Sequence, residues 1–358
     1  MSNEYPEIQG AVCPLPLSHD QAIVLGHGSG GKLMHDLISR HFLPHFSNSI
    51  LDAGNDAGRV EINPLSSTSV KLAVSTDSHV VSPLFFPGGD IGRLAICGTV
   101  NDVAMLGAEP LYLTAGFILE EGLSIHTLER VLQSMETAAA EAGVQIVAGD
   151  TKVVQKGKAD GLYINTAGFG LVRPGWQIGG EAARQGDVIL ISGSIGDHGM
   201  AVLEARGELG FSSGITSDVA PLNHLIAELL QAGCEVHVLR DPTRGGVATT
   251  LNEIAQQSGV LLQINENQLP INPAVAAACE MLGFDPLYVA NEGKILVIVA
   301  AKDAGKALKL MQQNPYGQNA AIIGEVLASP GGRVLMKTVI GTTRVVDVLS
   351  SELLPRIC

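Results

Sequence analysis

The sequence predicts a mixed α/β protein of the α+β class, built from two domains. At 358 residues the chain is long enough to bury two separate cores. Hydrophobic residues make up 46% of the sequence and charged residues only 16%, which excludes disorder over most of its length. Short apolar runs alternate with glycine turns and helix-like segments in both halves. We therefore expect two domains of similar design.

The first half predicts a domain over residues 21–175, preceded by a loose leader at residues 1–20 that is rich in proline and polar residues. Apolar residues recur at helical spacing around Leu128–Ala139. The predicted elements are a strand at Ile23–Leu25, a helix at Leu33–Ser39, a strand at Val70–Val74 with an acidic turn at 75–78, a buried helix at Gly92–Leu106, a helix around Leu128–Ala139, and a strand at Ile146–Ala148 that ends in Gly149–Lys152.

The second predicted domain covers residues 186–346, because Arg173–Gly175 breaks the pattern and a strand begins at Val188. Residues 347–358 are predicted to form a flexible C-terminal tail, since chain ends fray unless they are tied down. The predicted elements are a strand at Val188–Ile191, a helix from Met200 to Arg206, a helix opened by Asp241–Gly246, and a strand at Lys294–Ala300.

Charge and cysteine usage exclude several classes of protein. The net charge of −14 argues against nucleic acid as the main partner. The five cysteines are widely scattered and never spaced as CxxC, so a disulfide framework or a zinc knuckle is not expected. The start lacks the basic and apolar regions of a secretory signal, and the longest apolar run, Ile295–Ala301, is too short to span a bilayer. We expect a cytoplasmic protein with no membrane segment.

The last residue of the sequence, Cys358, carries a thiol at an unusual place. An exposed thiol is a liability because its thiolate oxidises and cross-links. Lipidation does not explain it, because a prenylation signal needs cysteine at the position that Pro355 occupies. An incidental terminal cysteine stays open as an alternative to a functional one.

The loop GHGSGGK at residues 26–32 resembles two nucleotide-binding motifs without completing either. Gly26, Gly28 and Gly31 satisfy GxGxxG, but Asp52 does not end an apolar strand as a ribose-binding acid should. The P-loop pattern fails at Leu33, where a Ser or Thr is needed. In both motifs, backbone N–H groups at a helix start bind an anion. The alternative is that this loop is a purely structural turn. The candidate phosphate contacts are Gly28, Ser29, Gly30, Gly31 and Lys32.

Acidic residues at predicted strand ends, in glycine turns and on the apolar helix indicate a Mg²⁺–phosphate site. A carboxylate on a buried apolar helix is costly unless it is paired or binds metal, and Mg²⁺ is held by a few carboxylates together with phosphates. Each residue alone could instead be a helix cap or an Asx turn. The predicted metal ligands are Asp56, Asp77, Asp102 and Asp150, and the predicted nucleotide contacts also include Asn101.

Three further charged or titratable residues are candidates for proton transfer. Glu292 and Lys152 stand at strand edges and are either solvated or act as general base and phosphate ligand. His79 follows the acidic segment and has a side chain that titrates near neutrality. Because no histidine belongs to an HxxxH or HExxH pair, zinc is not expected. The segment DPTRGG at residues 241–246 is either a plain helix cap or a support for nucleotide or the partner domain.

Together these motifs resemble the ATP-binding superfamily of aminoimidazole ribonucleotide synthetase and selenophosphate synthetase. The match extends from about residue 23 to the end of the chain. The terminal PRIC is similar to the hydrogenase-maturation branch, the HypE family of hydrogenase expression/formation proteins. The matching segments are GHGSGGK, DAGNDAG, STDSHVVSPLFFPGGDIGRLAICGTVNDVAMLGAEP, AGDTKVV, GDHG, DPTRGG, ANEGK and PRIC.

The resemblance implies that Cys358 accepts a carbamoyl group from the carbamoyltransferase HypF. ATP, with Mg²⁺, then phosphorylates the carboxamide oxygen, and loss of phosphate leaves a thiocyanate on the cysteine. The cyano group passes to iron on a HypC–HypD complex during [NiFe]-hydrogenase maturation. The family fold and a homodimer with ATP near the subunit interface are implied as well.

Two alternatives stay open on the sequence. One is a purine- or selenium-pathway relative, although the glycine loop lacks the early Cys or Sec that would favour the selenium branch. The other is a non-catalytic, ATP-gated scaffold whose tail docks on partners.

Overall fold

The structure is a computed structural model that describes residues 23–28, 30–46, 48–62, 70–207, 213–328, 332–349, 354 and 356–358. The predicted N-terminal leader, Ser29, Pro355 and much of the predicted tail lie outside these ranges.

The first domain contains a five-stranded sheet with the order β1-β2-β7-β5-β6 and a small two-stranded sheet, β3-β4. Only the β5–β6 pair of the larger sheet is parallel. Its strands are β1 Gly58–Ile62, β2 Val70–His79, β3 Phe85–Phe86, β4 Gly89–Asp90, β5 Ala108–Glu120, β6 Gln145–Val154 and β7 Leu162–Val172. Its helices are α1 Lys32–Leu37, α2 Leu43–Phe46, α3 Ile91–Met105 and α4 Ile125–Ala142, with short helical turns at Leu25–Gly28, Ile38–Phe42 and Leu51–Ala53.

The second domain is organised around a seven-stranded mixed sheet with the order β14-β13-β10-β12-β8-β11-β9. Its strands are β8 Val188–Ile191, β9 Val236–Arg240, β10 Leu261–Asn265, β11 Leu296–Val299, β12 Ala321–Leu327, β13 Arg333–Lys337 and β14 Thr343–Val346. Its helices are α5 Asp197–Ala205, α6 Asn223–Gln231, α7 Gly246–Ser258, α8 Pro273–Leu282 and α9 Ala304–Gln313. Short 3₁₀ turns lie at Gly180–Ala182, Glu266–Gln268, Pro286–Tyr288 and Ala301–Asp303.

Helix α3 is buried on nearly all sides because it lies between the first sheet and the second domain. Every residue of the helix except Arg93 and Asp102 is buried. The Asp90 side chain caps its first turn by accepting from the backbone N–H groups of Gly92 and Arg93. Glycine in β7 permits the close approach, since a Cβ at Gly168 would lie 2.7 Å from a Thr99 methyl carbon. The packing of the helix therefore fixes the position of Asp102 next to β2.

The two domains are joined by hydrogen bonds that use the ends of α3. The Asn101 amide accepts from the backbone N–H of Leu222 at 2.8 Å and donates to the Ala220 carbonyl at 3.0 Å. The Arg93 guanidinium donates to the Val219 carbonyl at 3.0 Å. These bonds hold the second domain against the first. They therefore set the geometry of the junction between the two domains.

Several predicted elements are confirmed and others are wrong. The helix predicted at Gly92–Leu106 is α3, and the strand predicted at Val188–Ile191 is β8. The segment predicted as a strand at Ile23–Leu25 instead leads into a 3₁₀ turn. The acidic segment 75–78 is not a turn, because β2 continues through it to His79. Within the described ranges, no helix has both the length and the apolar composition needed to cross a membrane.

Candidate active site

The C-terminal tip of the chain is docked in the core of the first domain. The Cys358 side chain belongs to a hydrophobic cluster with residues of α3 and is only 6% exposed. Residues 356–358 run antiparallel to residues 80–82: the Val80 N–H donates to the Cys358 backbone oxygen at 2.9 Å, and the Ser82 N–H donates to the Arg356 carbonyl at 3.3 Å. In this structure the end of the predicted flexible tail is therefore held in place.

The docked thiol faces Arg244 and Glu292. Burial raises the pKa of the Cys358 thiol above its ordinary value, and the nearby Arg244 guanidinium offsets this only in part. In the docked position the sulfur is consequently a neutral thiol, which is a poor nucleophile.

Glu292 is buried more completely than the sequence indicates, at 4% exposure. Burial raises its pKa well above the ordinary value, and the charges of Asp77, Asp241 and Asp218 raise it further. Its Oε1 atom has no hydrogen-bond partner among the described residues. The side chain is therefore a neutral acid at rest, and positive charge that enters the junction would lower its pKa and leave it as a carboxylate able to accept a proton.

His79 lies one strand position beyond the acidic segment and is 1% exposed. Burial lowers its pKa, and its Nε2 lies 3.6 Å from Asp77 Oδ2, beyond hydrogen-bonding distance. Neither ring nitrogen has a hydrogen-bond partner within the described part of the chain. Gly98 of α3 accommodates the ring, because a Cβ there would lie 3.2 Å from His79 Cε1. A neutral, unpaired imidazole at this place can accept a proton.

Carboxylates from both domains converge beside these groups. Ser75 Oγ donates to Asp102 Oδ2 at 2.7 Å. Burial raises the pKa of Asp102 well above its ordinary value, and the charges of Asp241, Asp77 and Asp56 raise it further. Burial also raises the pKa of Asp241 to about 8, aided mainly by the charge of Asp56. We name Asp77, Asp102 and Asp241 the acidic cluster.

Asp241 and Arg244 were not among the site residues predicted from the sequence. The sequence indicated the motif DPTRGG, which contains both, as a cap or as a support for nucleotide or the partner domain. Both are mostly buried, and both face the other domain through charge interactions with residues of β2 and α3. The sequence signal was an acid and an arginine in a glycine-containing turn between a strand and a helix.

Asp56, predicted as a metal ligand, is instead paired with an arginine. Its Oδ2 lies 2.7 Å from Arg240 Nε, and Arg240 also pairs with Glu253. Burial raises the pKa of Asp56 to about 6, because the Arg240 charge offsets only part of the effect of burial. Its carboxylate therefore ties the 52–58 turn to β9, and a cation would have to displace Arg240 to use it.

Asn101, predicted as a nucleotide contact, has a structural role in this chain. Both ends of its amide are used by the hydrogen bonds to Ala220 and Leu222, and the side chain is 1% exposed. A nucleotide could reach it only by breaking the bonds that join the domains. Sequence alone does not show which partner a buried amide has, so these bonds of Asn101 could not be predicted.

Asp150 and Lys152 do not join the acidic cluster within one chain. They form an ion pair of 2.6 Å with each other, with each side chain 69% exposed. Asp77 is aligned with Thr166 on β7, which is aligned with Ala115 on β5 and through it with Gly149 on β6. Asp150 is the residue after Gly149, so its side chain lies on the opposite face of the sheet from Asp77. Three strand spacings separate β2 from β6, about 14 Å.

The glycine loop lies against the turn that carries Arg244. The Arg244 guanidinium donates to the Gly28 carbonyl at 3.1 Å, and Gly30 has a positive φ of 75°. A Cβ at Gly30 would lie 2.9 Å from the Arg244 carbonyl oxygen, so only glycine fits here without a shift. Lys32 pairs with Asp347 at 3.3 Å, and its backbone N–H donates to Leu349. The glycine loop therefore contacts both the turn that carries Arg244 and the first residues of the predicted tail, Asp347 and Leu349.

The described residues contain no ready-made group of three metal-ligating side chains. Magnesium does not require one, because it is commonly held by one or two carboxylates together with substrate phosphates and water. Burial raises the pKa of Asp102 and of Asp241, and the Arg240 charge offsets only part of this effect at Asp241. These carboxylates therefore fit a cation that arrives with a nucleotide.

Comparisons with known proteins agree with this geometry. Models of the N-terminal and C-terminal domains of AIR synthase related proteins match residues 54–172 and 184–337. The carbamoyl dehydratase HypE of Azotobacter vinelandii is 52% identical over 94% of this chain and 97% of its own length. The chain belongs to the HypE family.

Two solved HypE structures have the same fold as this chain. A HypE in complex with ATP is 50% identical, covers 94% of this chain and all of its own, and has a TM-score of 0.78. A HypE–HypF complex contains a chain that is 51% identical, covers 87% of this chain and 99% of its own, and has a TM-score of 0.82. The two-domain fold is therefore that of HypE.

We predict that Asp241→Asn stabilises this HypE-family chain at neutral pH when metal and nucleotide are absent. The pKa of Asp241 is raised from 3.8 to about 8 in the folded state. Between these values the unfolded chain has released the proton and the folded chain retains it, so wild-type stability falls as pH rises. Asparagine removes this dependence.

Urea denaturation at several pH values measures the effect. The midpoint of Asp241→Asn should exceed that of wild type at neutral pH, and the difference should shrink to nothing near the unfolded pKa. The exposed Asp36 provides the control Asp36→Asn, which should follow wild type. A variant midpoint below wild type at neutral pH would contradict the prediction.

Proposed function

We propose that this chain is an ATP-dependent carbamoyl dehydratase of [NiFe]-hydrogenase maturation and that Cys358 carries the group it converts. HypF supplies the carbamoyl group, and its product is an S-carboxamide on Cys358. The observation that carries the proposal is the docking of Cys358 beside Glu292, Arg244 and the acidic cluster. A thiol surrounded by titratable groups with shifted pKa values is typical of a reaction site.

The reaction transfers the γ-phosphoryl group of ATP to the carboxamide oxygen. The C–O bond then breaks, phosphate leaves with that oxygen, and the nitrogen loses two protons as the C≡N bond forms. The products are S-cyano-cysteine, ADP and phosphate. An amide oxygen is a poor leaving group, and phosphorylation makes it a good one. Holding the tail in the junction supplies the proximity that this intramolecular step requires.

Glu292 and His79 are the residues we assign to the two nitrogen protons. Among the carboxylates, the charge of Glu292 has the largest effect on the pKa of the Cys358 thiol. Its pKa falls from the raised resting value when Mg²⁺ enters, so it becomes a carboxylate only in the loaded site. His79 is already neutral and can accept a second proton. Arg244, between Cys358 and the acidic cluster, stabilises negative charge on the transferred phosphoryl group.

Magnesium is assigned to Asp77 and Asp102, with Asp241 beside them. The ion supplies charge neutralisation for the triphosphate when it is bound. The glycine loop of residues 26–32 is assigned to the phosphates, with Arg244 holding its Gly28 carbonyl in place.

A second copy of the chain is proposed to complete the site. Tyr112, Ile118 and Leu171 are exposed on the face of the first sheet that carries Asp150 and Lys152, and β6 is exposed along its length. A symmetric dimer is the commonest way to cover such a face. Packed there, each copy would bring its own Asp150 and Lys152 to the phosphates bound by the other.

The partners follow from the chemistry. HypF is the proposed carbamoyl donor, and a HypE at 51% identity has been solved in complex with HypF. A HypC–HypD complex is the proposed acceptor of the cyano group, because its transfer to iron requires a protein that holds the metal.

The first prediction concerns the carrier. After incubation with HypF, carbamoyl phosphate and ATP, intact-mass spectrometry should show carbamoyl and then cyano mass on wild type and neither on Cys358→Ala. Cys234→Ala is the matched control, since Cys234 is also buried but lies in the second domain. Labelling of Cys358→Ala at the wild-type level would remove Cys358 from the reaction.

The second prediction concerns the base. Glu292→Gln should accept the carbamoyl group at the wild-type rate, yet after ATP is added it should form thiocyanate about 10²- to 10⁴-fold more slowly, as loss of a general base requires. The exposed Glu280→Gln is the control. Thiocyanate formation at the wild-type rate in Glu292→Gln, with loss in His79→Gln, would transfer the role to His79.

The third prediction tests the shared site by subunit mixing. Asp77→Asn and Asp150→Asn should each abolish ATP turnover, while an exchanged mixture should regain about a quarter of wild-type activity, because half of the random dimers hold one intact site of two. If both residues served one chain, mixing would restore nothing. Wild-type turnover by Asp150→Asn alone would remove that residue from the site.

A further inference from the structure

We propose that His198 and Arg206 of the second domain, together with backbone residues 80–82 of the first, form a cradle that binds the chain's own C-terminal segment and positions Cys358 for dehydration. The role in dehydration rests on the proposed function, whereas binding of the segment by the cradle does not. We name these residues the tail cradle.

Backbone pairing supplies the register of the cradle. The Val80 N–H and the Ser82 N–H donate to backbone oxygens of residues 358 and 356, two residues apart on each side. The Arg356 Nε donates back to the Val80 carbonyl at 3.0 Å. Arg356 has a positive φ of 51°, so the segment bends at this residue and is held by these individual bonds rather than as a regular strand.

His198 fixes the segment between these two pairs. Its Nε2 lies 2.8 Å from the Ile357 carbonyl oxygen, and its Nδ1 lies 2.8 Å from Ser217 Oγ. A carbonyl can only accept, so Nε2 carries the proton and Nδ1 accepts from the Ser217 hydroxyl. Ser217 Oγ in turn accepts from the Val219 N–H at 3.2 Å. This fully satisfied network holds a completely buried imidazole in one tautomer.

Arg206 joins the tail to the strand end it pairs with. Its Nε donates to the Ser82 carbonyl at 3.0 Å, and its Nη2 donates to the Arg356 carbonyl at 2.9 Å. One planar guanidinium therefore bridges the C-terminal segment and residues 80–82. The ion pair of Arg356 with Asp160 is more exposed, with side chains 32% and 57% accessible, and contributes less to binding.

Side-chain packing selects which residues the cradle accepts. Ile357 is 2% exposed within the core cluster of the first domain. Leu354 packs against clusters of both domains, and its Cδ1 would lie 3.2 Å from a Cβ added at Gly199. Apolar residues at positions 354 and 357 and hydrogen-bonded backbone oxygens at positions 356–358 define the peptide that binds.

The cradle has opposite consequences for the two half-reactions. Carbamoyl loading needs an accessible thiolate, and the docked thiol is buried and neutral, so docking opposes loading. Dehydration needs the group held beside Glu292, so docking favours it. Weakening the cradle should therefore leave loading unchanged or faster and make dehydration slower, a split that general loss of structure does not produce.

The experiment uses the full chain with Arg206→Met, which keeps the apolar stem, Arg206→Lys as the conservative rescue, and His198→Asn. Ile357→Ala weakens docking from the tail side and leaves the cradle intact. Arg130→Met is the control, because Arg130 stacks on Phe85 outside the cradle at 3.9 Å. Three rates are measured: alkylation of Cys358 by iodoacetamide followed by peptide mapping, carbamoyl loading by HypF, and single-turnover dehydration of the preloaded tail.

The cradle predicts that Arg206→Met, His198→Asn and Ile357→Ala alkylate Cys358 at least about tenfold faster and dehydrate about tenfold more slowly, the effect of losing one positioning hydrogen bond. Loading should not fall, and Arg206→Lys should recover part of both changes. Wild-type alkylation and dehydration rates in folded Arg206→Met and Ile357→Ala would overturn the proposal, as would equal slowing of both half-reactions. If wild type protects its thiol but forms no thiocyanate, the proposed function fails while the cradle stands.

Discussion

The concentration of carboxylates at a buried domain junction is the constraint on which the rest of this structure depends. Asp56, Asp77, Asp102, Asp241 and Glu292 lie within range of one another's charge, and two arginines, Arg240 and Arg244, are the cations that oppose them there. Burial of unpaired carboxylates is costly, so protons neutralise some of them at rest. In the proposed function, a cation that arrives with a nucleotide would take over this role and release those protons. Binding of the substrate would thus convert the protonated resting site to the deprotonated form that the proposed chemistry needs.

That junction exists because α3 serves both domains at once. Its apolar faces pack on the first sheet, while its two polar positions near the C-terminal end have different tasks. Asn101 uses its amide to fix the second domain, and Asp102, next in sequence, faces the site. A helix buried on nearly every side leaves few positions for polar residues, so each must be satisfied by a partner or serve the reaction. Asn101 is satisfied by its partners in the second domain, and Asp102 is the residue assigned to the reaction.

The sequence predicted the parts of the site that single motifs contain. Cys358, Glu292 and Asp77 could be proposed because their residue types, in those surroundings, are hard to explain structurally. Predictions that depended on partners were less successful. The pairing of Asp56 with Arg240 joins residues far apart in sequence, and so does the amide bonding of Asn101. Asp150 and Lys152 were placed at a strand end, yet β6 continues through both. Strand length depends on pairing with β5, which the local pattern does not show.

In the proposed function, the two fates of the C-terminal segment follow from the charge of the group that Cys358 would carry. A free thiol must ionise to attack a carbamoyl donor, and the junction disfavours a thiolate because burial and nearby carboxylates outweigh Arg244. Attack therefore belongs to the undocked segment. An S-carboxamide and a thiocyanate carry no charge, so both can enter the junction without the penalty that a thiolate meets. The same burial also keeps water from a phosphorylated intermediate that hydrolysis would return to the amide. The electrostatics that make the docked cysteine unreactive are thus the electrostatics that make the docked adduct stable enough to dehydrate.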